Sequence, residues 1–476
     1  MKKLNVYFWV IFAIFLVRCS STRMNVLIRM IDEQENYFGN EVIPPFEKSH
    51  SAEIEVFHYN SPDELIGEID NYPDMHLVKV PFSEAYRLVD RGALMPLDDF
   101  LSKEQIKEYK DTYLLTSLAE FGGKHYMVPR KFETRIMVYR KSKVAEAQAQ
   151  WRRYQPSIHE ALKKINGYGL PATYLLEQDP NQWDYYDVFV VGWIWAHADG
   201  DFSGGRVAHR AKRYFGTAQR IMDRIFQCGG DSTALITMSG DPVVDAMHWE
   251  AVYAFGGIYN SRMWEQGWSG PDIWRGFGDD EVYLSFMTQL DCFYLHGTGR
   301  DGLGGYLSDP DDMGVAVMPR GCSVQLDEKG NIKRQGRNAI TTGGWWWAIP
   351  AKSSDPHNSY ELARHITNAE NQIQGCSRFG MIPVRKDILS DMNLLFGGTW
   401  ISKIYSVSFQ QLMHNKKTTV PAYPDLAKVI GSYLDAWHTI IVQGQWASQG
   451  AIPDRQHIES VMRKYASGLP AAGEVE

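Results

Sequence analysis

Residues 343–350 read Gly-Gly-Trp-Trp-Trp-Ala-Ile-Pro, and they constrain the fold more than any other stretch of the chain. Successive side chains on a strand point to opposite faces, so Trp345 and Trp347 should share one face and Trp346 should lie on the other. Three consecutive tryptophans cannot all face one core, and a tryptophan is rarely buried completely. The two glycines allow a sharp turn or the close approach of a ligand. The stretch therefore predicts a strand whose rings either fill the core or line a binding surface.

The N-terminal part of the chain alternates between strand and helix patterns. Apolar or alternating runs predict strands at Met24–Ile31, Glu53–Tyr59 and Asp74–Val80. Helix patterns follow them over about Asn36–Lys48, from Ser61, and over Phe82–Arg91. This alternation is typical of a parallel sheet with helices on both faces, in which ligands bind at the carboxyl ends of the strands.

The remainder of the chain continues in the same style. Strands are predicted at Ile136–Arg140 and Met313–Met318, a helix is predicted to begin at Pro156, and the last ninety or so residues are mainly helical. The chain has no internal repeat and no linker rich in Pro, Gly or Ser. The predicted fold class is therefore α/β, with two lobes packed as one unit.

The first residues predict an export signal. Met1-Lys2-Lys3 is positively charged, and Leu4–Val17 is almost wholly apolar but shorter than the roughly 20 residues of a membrane span. Cys19 follows at once and resembles the lipidated cysteine of bacterial lipoproteins, although Arg18 replaces the small residue that is usual there. We expect residues 1–21 to be a signal or lipoprotein segment, or alternatively an uncleaved anchor. Either segment places the folded part outside the cytoplasm and tethers it to the membrane.

Composition and motif content argue against several classes of function. Among 476 residues, 49 Lys and Arg against 57 Asp and Glu give a net charge of −8, which disfavours nucleic acid as a partner. Cys228, Cys292, Cys322 and Cys376 lack C-x-x-C spacing, and they allow either disulfide pairs or free buried thiols. Neither a metalloprotease helix motif nor a serine-hydrolase elbow is present. We therefore expect no catalytic residue, no metal and no cofactor.

Several motifs in order along the chain resemble a known family. After the tryptophan stretch, Glu361–Ile366, Ala369–Gln372 and Gly380–Arg385 are similar to the C-terminal part of bacterial extracellular solute-binding proteins. Leu94–Phe100 and Gly122–Pro129 are similar to stretches in the N-terminal half of the same family. Its members related to maltose-binding protein are the sugar-binding components of ABC importers. The resemblance covers nearly the whole chain after the signal.

The resemblance implies the two-lobe fold of periplasmic binding proteins. Each lobe would be a sheet flanked by helices, with the ligand cleft between the lobes and closure by hinge motion. The implied N-terminal lobe is 22–135 plus 320–378, and the implied C-terminal lobe is 138–318 plus 384–476. The chain would act as a monomer.

The resemblance also implies which side chains bind the ligand. They are Glu33, Glu35, Lys79, Phe82, Arg130, Phe132, Glu133, Thr134, Trp193, Asp291, Tyr294, Gly344 and Trp345. Sugars stack on aromatic rings while planar polar groups bind their hydroxyls, and aromatic residues form 13% of this chain. Lys79 departs from the family, in which many sugar binders carry Asp, and with Arg130 and Arg135 it raises the hypothesis of an acidic ligand. The alternative is that these cations pair with Glu133 and other carboxylates.

The predicted function is that of a non-catalytic, lipid-tethered receptor that delivers a sugar or oligosaccharide to an ABC permease. Two alternatives stay open. An exported carbohydrate-active enzyme would use two carboxylates for acid–base chemistry, although no spacing identifies such a pair. A sensor would use the same binding fold to report ligand to a membrane kinase.

Overall fold

The computed structural model describes residues 22–61, 64–72, 74–197, 204–297, 305–415, 418, 421, 423, 425–444 and 454–471. The predicted signal segment with Cys19 lies outside these residues. Within them, no helix combines the length and apolar character that crossing a membrane requires.

The chain divides into two compact units. The first contains the residues up to Arg130 together with Trp345–Gln372 and Val384–Lys386. The second contains Lys131–Gly344, Ile373–Pro383 and the residues from Asp387 onward. Residues 131–135, 320–344 and 373–378, which the resemblance assigned to the N-terminal lobe, group with the second unit. Residues 384–386, assigned to the C-terminal lobe, group with the first unit. The lobe boundaries stay a prediction.

The first unit is built on a five-stranded sheet with the order β2-β1-β3-β11-β6. Its strands are β1 (Thr22–Ile28), β2 (Ala52–His58), β3 (Met75–Pro81), β6 (Met127–Glu133) and β11 (Gly343–Ala348), and a separate hairpin pairs β4 (Glu120–Phe121) with β5 (Lys124–His125). β1 pairs in parallel with β2 and β3, whereas β11 runs antiparallel to β3. The predicted parallel arrangement is therefore confirmed for β1, β2 and β3, and β11 makes the sheet mixed. Every residue of the central strand β3 is buried, as expected for a strand covered on both faces.

Helices connect these strands. They are α1 (Asp32–Tyr37), a π-helical turn (Phe38–Val42), α2 (Ile43–His50), α3 (Leu65–Asn71), α4 (Phe82–Asp90), α5 (Lys103–Thr112), α14 (Pro356–Ile366) and α15 (Ala369–Phe379), of which only the start of α15 belongs to this unit. A capping box between Ser102 and Gln105 begins α5, as the sequence predicts. Two short 3₁₀ turns cover Leu97–Asp99 and Thr116–Ala119.

Two of the three consecutive tryptophans are core residues. Trp346 and Trp347 are each 1% exposed, whereas Trp345 is only half-buried. Trp347 stacks on Phe38, and Trp346 packs against Phe82. Both rings can be buried because successive side chains of β11 meet helices on different faces of the sheet. Trp345 is the ring of this strand that stays accessible.

The second unit is built on a four-stranded sheet with the order β10-β7-β9-β8. Its strands are β7 (Arg135–Arg140), β8 (Val207–Ala208), β9 (Leu284–Thr288) and β10 (Met313–Ala316). β7 is antiparallel to β9 and β10, and β8 is parallel to β9. β10 therefore forms one edge of this sheet.

Helices make up most of the second unit. They are α6 (Lys141–Asn166), α7 (Tyr185–His197), α8 (Phe215–Gln227), α9 (Ser232–Thr237), α10 (Asp241–Phe255), α11 (Arg262–Glu265), α12 (Gly270–Gly278), α13 (Gln289–His296), α16 (Lys386–Phe396), α17 (Trp400–His414), α18 (Leu426–Trp437) with a π-helical extension (His438–Val442), and α19 (Arg455–Ala466). The prediction that a helix begins at Pro156 is wrong, because Pro156 lies inside α6. Its exposed position leaves the unpaired carbonyl one turn earlier open to water, which lowers the penalty of an internal proline.

Candidate functional site

The first unit presents polar side chains where its parallel strands end. β1, β2 and β3 end at Ile28, His58 and Pro81, and parallel strands share one carboxyl edge. Glu33 and Glu35 lie on α1 directly after β1, and both are half-buried. The Glu35 carboxylate binds His58 Nε2 at 2.7 Å across this edge. Phe82 starts the helix after β3, so its half-buried ring lies at the same edge.

Lys79 and Trp345 form a cation–aromatic pair in the first unit. Lys79 is 2% exposed, and its Nζ lies 4.1 Å from the centroid of the Trp345 ring. Nζ also donates to the Arg29 carbonyl oxygen. A desolvated cation over an indole is stabilised by about 2 kcal/mol or more. The structure thus brings together two side chains that the sequence named separately.

Arg130 is held by two glutamines, Gln34 and Gln372, that were not predicted as site residues. Arg130 is 7% exposed, and its Nη2 lies 3.4 Å from Gln34 Oε1. Its carbonyl oxygen accepts from Gln372 Nε2 at 2.9 Å, and Gln372 Oε1 accepts from the Val384 amide at 3.0 Å. Gln372 therefore ties β6 to the segment after α15, which explains its place in the Ala369–Gln372 motif.

In the second unit, the predicted ligand-binding residues Phe132, Glu133 and Thr134 mostly form contacts within the protein. Glu133 pairs with Lys131 at 2.6 Å. Phe132 and Thr134 are both completely buried, and the Thr134 hydroxyl accepts from Asn415 Nδ2 at 3.3 Å. In this structure the Phe132 ring contributes to the core, and its contact with a ligand stays a prediction.

Arg135 does not offer a free cation. Its guanidinium forms a bidentate pair with Asp223, which is completely buried, and it also donates to Thr341 Oγ1 at 2.6 Å. Burial raises the pKa of Asp223, although Arg135 opposes that shift. For Arg135 the pairing supports the alternative that the cations bind carboxylates of the protein and not an acidic ligand, because Asp223 balances the charge of Arg135 inside the unit.

Gly344 is required by the backbone conformation and close packing of β11. Its φ is +154°, and a Cβ at this position would lie 2.4 Å from the Lys131 carbonyl oxygen. Any larger residue would push β11 away from β6. The glycine thereby sets the position of Trp345, the next residue.

Asp291 accepts hydrogen bonds from three different residues of the second unit. It closes a capping box with Thr288, accepting from the Thr288 amide at 2.8 Å and from its hydroxyl at 2.7 Å. The carboxylate also accepts from Trp274 Nε1 at 2.9 Å and from Arg210 Nη2 at 3.2 Å. The carboxylate of Asp291 raises the pKa of Arg210, which keeps that guanidinium charged. Asp291 is thus a fixed anion that orients an indole and a guanidinium.

Tyr294 lies one helical turn after Asp291 and stacks on Trp274. The two ring centroids are 4.0 Å apart with an interplanar angle of 12°, and both rings are half-buried. Tyr306, 38% exposed, lies 6.0 Å from Trp274 and extends this aromatic surface. Trp274, Arg210 and Tyr306 were missed because they lie on other segments, and no sequence spacing relates them to Tyr294.

Trp193 is placed differently from the other predicted residues. It lies on α7 and stacks on His197 at 4.3 Å, with Tyr154 of α6 at 6.1 Å. These ring contacts join it to helix neighbours and not to the Asp291 group. Its predicted contact with the ligand stays a prediction.

The four cysteines that the structure describes carry no accessible thiol. Cys228, Cys292, Cys322 and Cys376 are free and buried, and burial raises the pKa of each thiol. In the part of the chain that the structure covers, no three His, Cys, Asp or Glu side chains are arranged to hold a metal ion.

The family of the chain follows from comparison with known proteins. Residues 41–394 match the family model of the bacterial extracellular solute-binding proteins. This match spans well over half of the sequence, and the chain belongs to that family. A search of the curated proteins gives no match.

Solved structures with the same fold include several sugar-binding proteins. MalE3 of T. maritima, solved with maltose bound, has a TM-score of 0.67 at 14% identity, covering 94% of this chain and 100% of that one. The substrate-binding protein Lmo0181 of Listeria monocytogenes, solved with cycloalternan, has a TM-score of 0.64 at 12% identity, covering 94% and 99%. The GacH receptor of Streptomyces glaucescens, solved with and without acarbose, has a TM-score of 0.61 at 14% identity, covering 94% and 100%. These similarities establish the two-lobe periplasmic-binding-protein fold.

Proposed function

We propose that this chain is the extracytoplasmic receptor of an ABC importer and that it binds a sugar or oligosaccharide without chemical change. The observation that carries the proposal is that each unit places an accessible aromatic ring beside a fixed charged group. In the first unit these are Trp345 and Lys79, and in the second they are Tyr294 and Asp291. Rings that stack on a pyranose and charged groups that bind hydroxyls are the two needs of sugar recognition.

The predicted binding residues divide according to how well their surroundings support the role. Half-buried positions at the strand ends of the first unit support Glu33, Glu35, Phe82 and Trp345. Asp291 and Tyr294 are supported by the Trp274 and Arg210 contacts. Lys79 supports an acidic sugar as a second candidate ligand, because its ammonium is oriented by a ring and a carbonyl oxygen.

Titration of the purified protein with maltodextrins, other neutral oligosaccharides and uronic acids tests this proposal. A saturating ligand should stabilise the protein by about 2.7 kcal/mol at a hundredfold excess over Kd, which thermal unfolding measures. Tyr294→Ala should weaken binding about tenfold, because the stacking ring is lost. Tyr168→Ala is the matched control, since Tyr168 is 51% exposed in the same unit and outside the group. Failure of every carbohydrate to bind would reject the sugar as ligand.

Absence of catalysis belongs to the same proposal. Chromatography of the bound oligosaccharide after long incubation should return it intact. Released shorter products would instead support the exported carbohydrate-active enzyme.

Membrane tethering through Cys19 is proposed from the sequence and from the extracellular setting of the family. Labelling of cells with a fatty-acid analogue should mark the protein, and Cys19→Ala should abolish the label and release the protein from membranes. An unlabelled protein that stays in the membrane fraction would point to an uncleaved anchor.

A further inference from the structure

The second unit contains a cavity of about 340 Å³ beside its edge strand β10. The side chains that matter most in its lining are those of Tyr139, Lys141, His296, Trp400 and Lys403, and the backbone of Gly314 lines it as well. A cavity of this size lies within the range of small-molecule sites.

This cavity is separate from the candidate sugar-binding residues. Tyr139 follows Arg135 by four residues on β7, which places it about 13 Å further along the strand. On α13, Tyr294 and His296 lie two residues apart, which places their side chains on nearly opposite sides of the helix. No residue that lines the cavity belongs to the candidate sugar-binding residues.

Two aromatic side chains give the cavity flat walls. Gly314 pairs with Tyr139 across the two strands, and a Cβ at Gly314 would lie 2.3 Å from the Tyr139 ring. The ring therefore lies over the glycine, which makes room for it. Burial raises the pKa of Tyr139 to about 12, so its hydroxyl is a neutral donor. The Trp400 ring stacks on His296 with centroids 3.9 Å apart and an interplanar angle of 13°.

The charged side chains that line the cavity carry an excess of positive charge. Lys141 and Lys403 are exposed, and neither forms an ion pair with any residue that the structure describes. Asp311 is the one carboxylate among the lining residues described. Two ammonium groups and one carboxylate therefore line the cavity. The chain as a whole has a net charge of −8, so this excess positive charge is local.

We propose that this cavity is a second ligand site, which takes a small organic anion with a flat ring. The ring packs against Tyr139 and Trp400, and the carboxylate of the ligand pairs with Lys141 and Lys403. The proposal does not depend on the identity of the sugar or on sugar binding itself, because no residue of the cavity belongs to the candidate sugar site.

Calorimetric titration of the purified protein with benzoate and with benzyl alcohol tests the proposal. The two probes share a ring and differ in the carboxylate. Benzoate should show saturable binding in the millimolar range, and benzyl alcohol should bind at least tenfold more weakly, a difference of about 1.4 kcal/mol. Equal binding of the two probes, or no saturable binding of benzoate, would overturn the proposal.

Paired lysine substitutions locate the site. The double variant Lys141→Gln and Lys403→Gln should lose at least tenfold in benzoate affinity. The matched control, Lys103→Gln with Lys107→Gln on α5 of the first unit, should bind as the unsubstituted protein does. Both pairs lie on the surface, so both variants should fold, which circular dichroism checks. Unchanged affinity in the cavity variant would overturn the proposal, and Tyr294→Ala should leave benzoate binding intact even where it weakens sugar binding.

Discussion

The two units build their aromatic and charged pairs by different means. In the second unit, one carboxylate, Asp291, is fixed by the helix start at Thr288 and in turn holds Trp274 and Arg210. In the first unit, Lys79 and Trp345 meet because β3 and β11 pair side by side in the sheet. The Asp291 group of the second unit depends on a short local motif. The pair of Lys79 and Trp345 in the first unit depends on strand pairing between distant parts of the chain.

This difference indicates how each surface should respond to damage. Loss of the helix cap formed by Asp291 should leave the sheet intact. Trp274 and Arg210 would then lose the acceptor that orients them. The pairing of β3 with β11 is held by buried side chains. Removal of the accessible Trp345 ring should therefore change the stability little, whereas removal of the buried Trp347 ring should reduce it strongly. Matched substitutions in each unit test this difference.

The largest effect is expected from Trp347→Ala. Trp347 is 1% exposed and packs on Phe38, and truncation of a buried tryptophan costs about 3–5 kcal/mol. Trp345→Ala, on the same strand, should cost far less stability but should weaken sugar binding, because Trp345 is half-buried beside Lys79. Urea unfolding and ligand titration of both variants measure the two quantities. Equal loss of stability in the two variants would contradict the division between core and accessible rings.

A smaller loss is expected from Asp291→Ala. The substitution removes a helix cap and leaves Arg210 and Trp274 without their shared acceptor, so we expect a loss of about 2–4 kcal/mol together with weaker sugar binding. The control is Asp272→Ala, which removes the capping box of α12 and a surface pair with Arg275. That cap alone should cost about 1 kcal/mol. If both variants lose the same free energy of unfolding and both bind sugar normally, Asp291 is only a cap.

A change in affinity without much loss of stability is expected from Lys79→Met. Methionine keeps the apolar stem, and removing a buried charge offsets the lost contacts, so the free energy of unfolding should change by less than about 1 kcal/mol. Ligand affinity should fall about tenfold, since a hydrogen bond from a charged donor is lost. Lys124→Met, which removes an exposed pair with Asp99, serves as the control in the same unit. Titrations with neutral and acidic sugars would show whether the loss is confined to one class, and an unchanged affinity for both would remove Lys79 from the site.

A dependence of stability on pH is expected from a pair of buried carboxyl groups in the second unit, Asp184 and Asp187. Burial, reinforced by the carboxylate of Asp184, raises the pKa of Asp187 from 3.8 to about 7. The folded protein therefore binds a proton more tightly than the unfolded chain, and this contribution to stability is lost as the pH rises from about 4 to about 7. Each unit of pKa difference corresponds to about 1.4 kcal/mol.

Urea unfolding at several pH values in this range measures how steeply the free energy of unfolding falls as the pH rises. Asp187→Asn cannot ionise, so its stability should fall less steeply with rising pH than that of the unsubstituted protein. Asp179→Asn, at an exposed position nearby, should keep the original slope. Identical slopes in all three proteins would show that Asp187 does not titrate in this range.

Much of the fold could be predicted from the sequence, because it depends on local patterns. The apolar runs of β1 and β3 and the helix that begins at Phe82 were predicted within a few residues. Pro156 misled the prediction, because the rule that proline ends helices does not include the solvent exposure that makes an internal proline tolerable.

The candidate site was less predictable, because its contacts join distant parts of the chain. The sequence named Asp291 and Tyr294 but not Trp274 or Arg210, which complete the group. It also left Arg135 open as a ligand-binding cation, and the structure pairs it with Asp223. Charge and residue type in a sequence do not specify which partner neutralises which side chain, since that depends on helix packing.

The sequence by itself determined the order of strands and helices, the membership in a solute-binding family and the presence of a tryptophan strand, because all three are written in local spacing. Only the tertiary structure decided which of those tryptophans is accessible. Trp345, Trp346 and Trp347 are identical in chemistry, and their exposures differ because the strand partners and covering helices differ at each position. Burial depends on neighbours that are distant in the chain, and for that reason the surface that binds a ligand is set by packing.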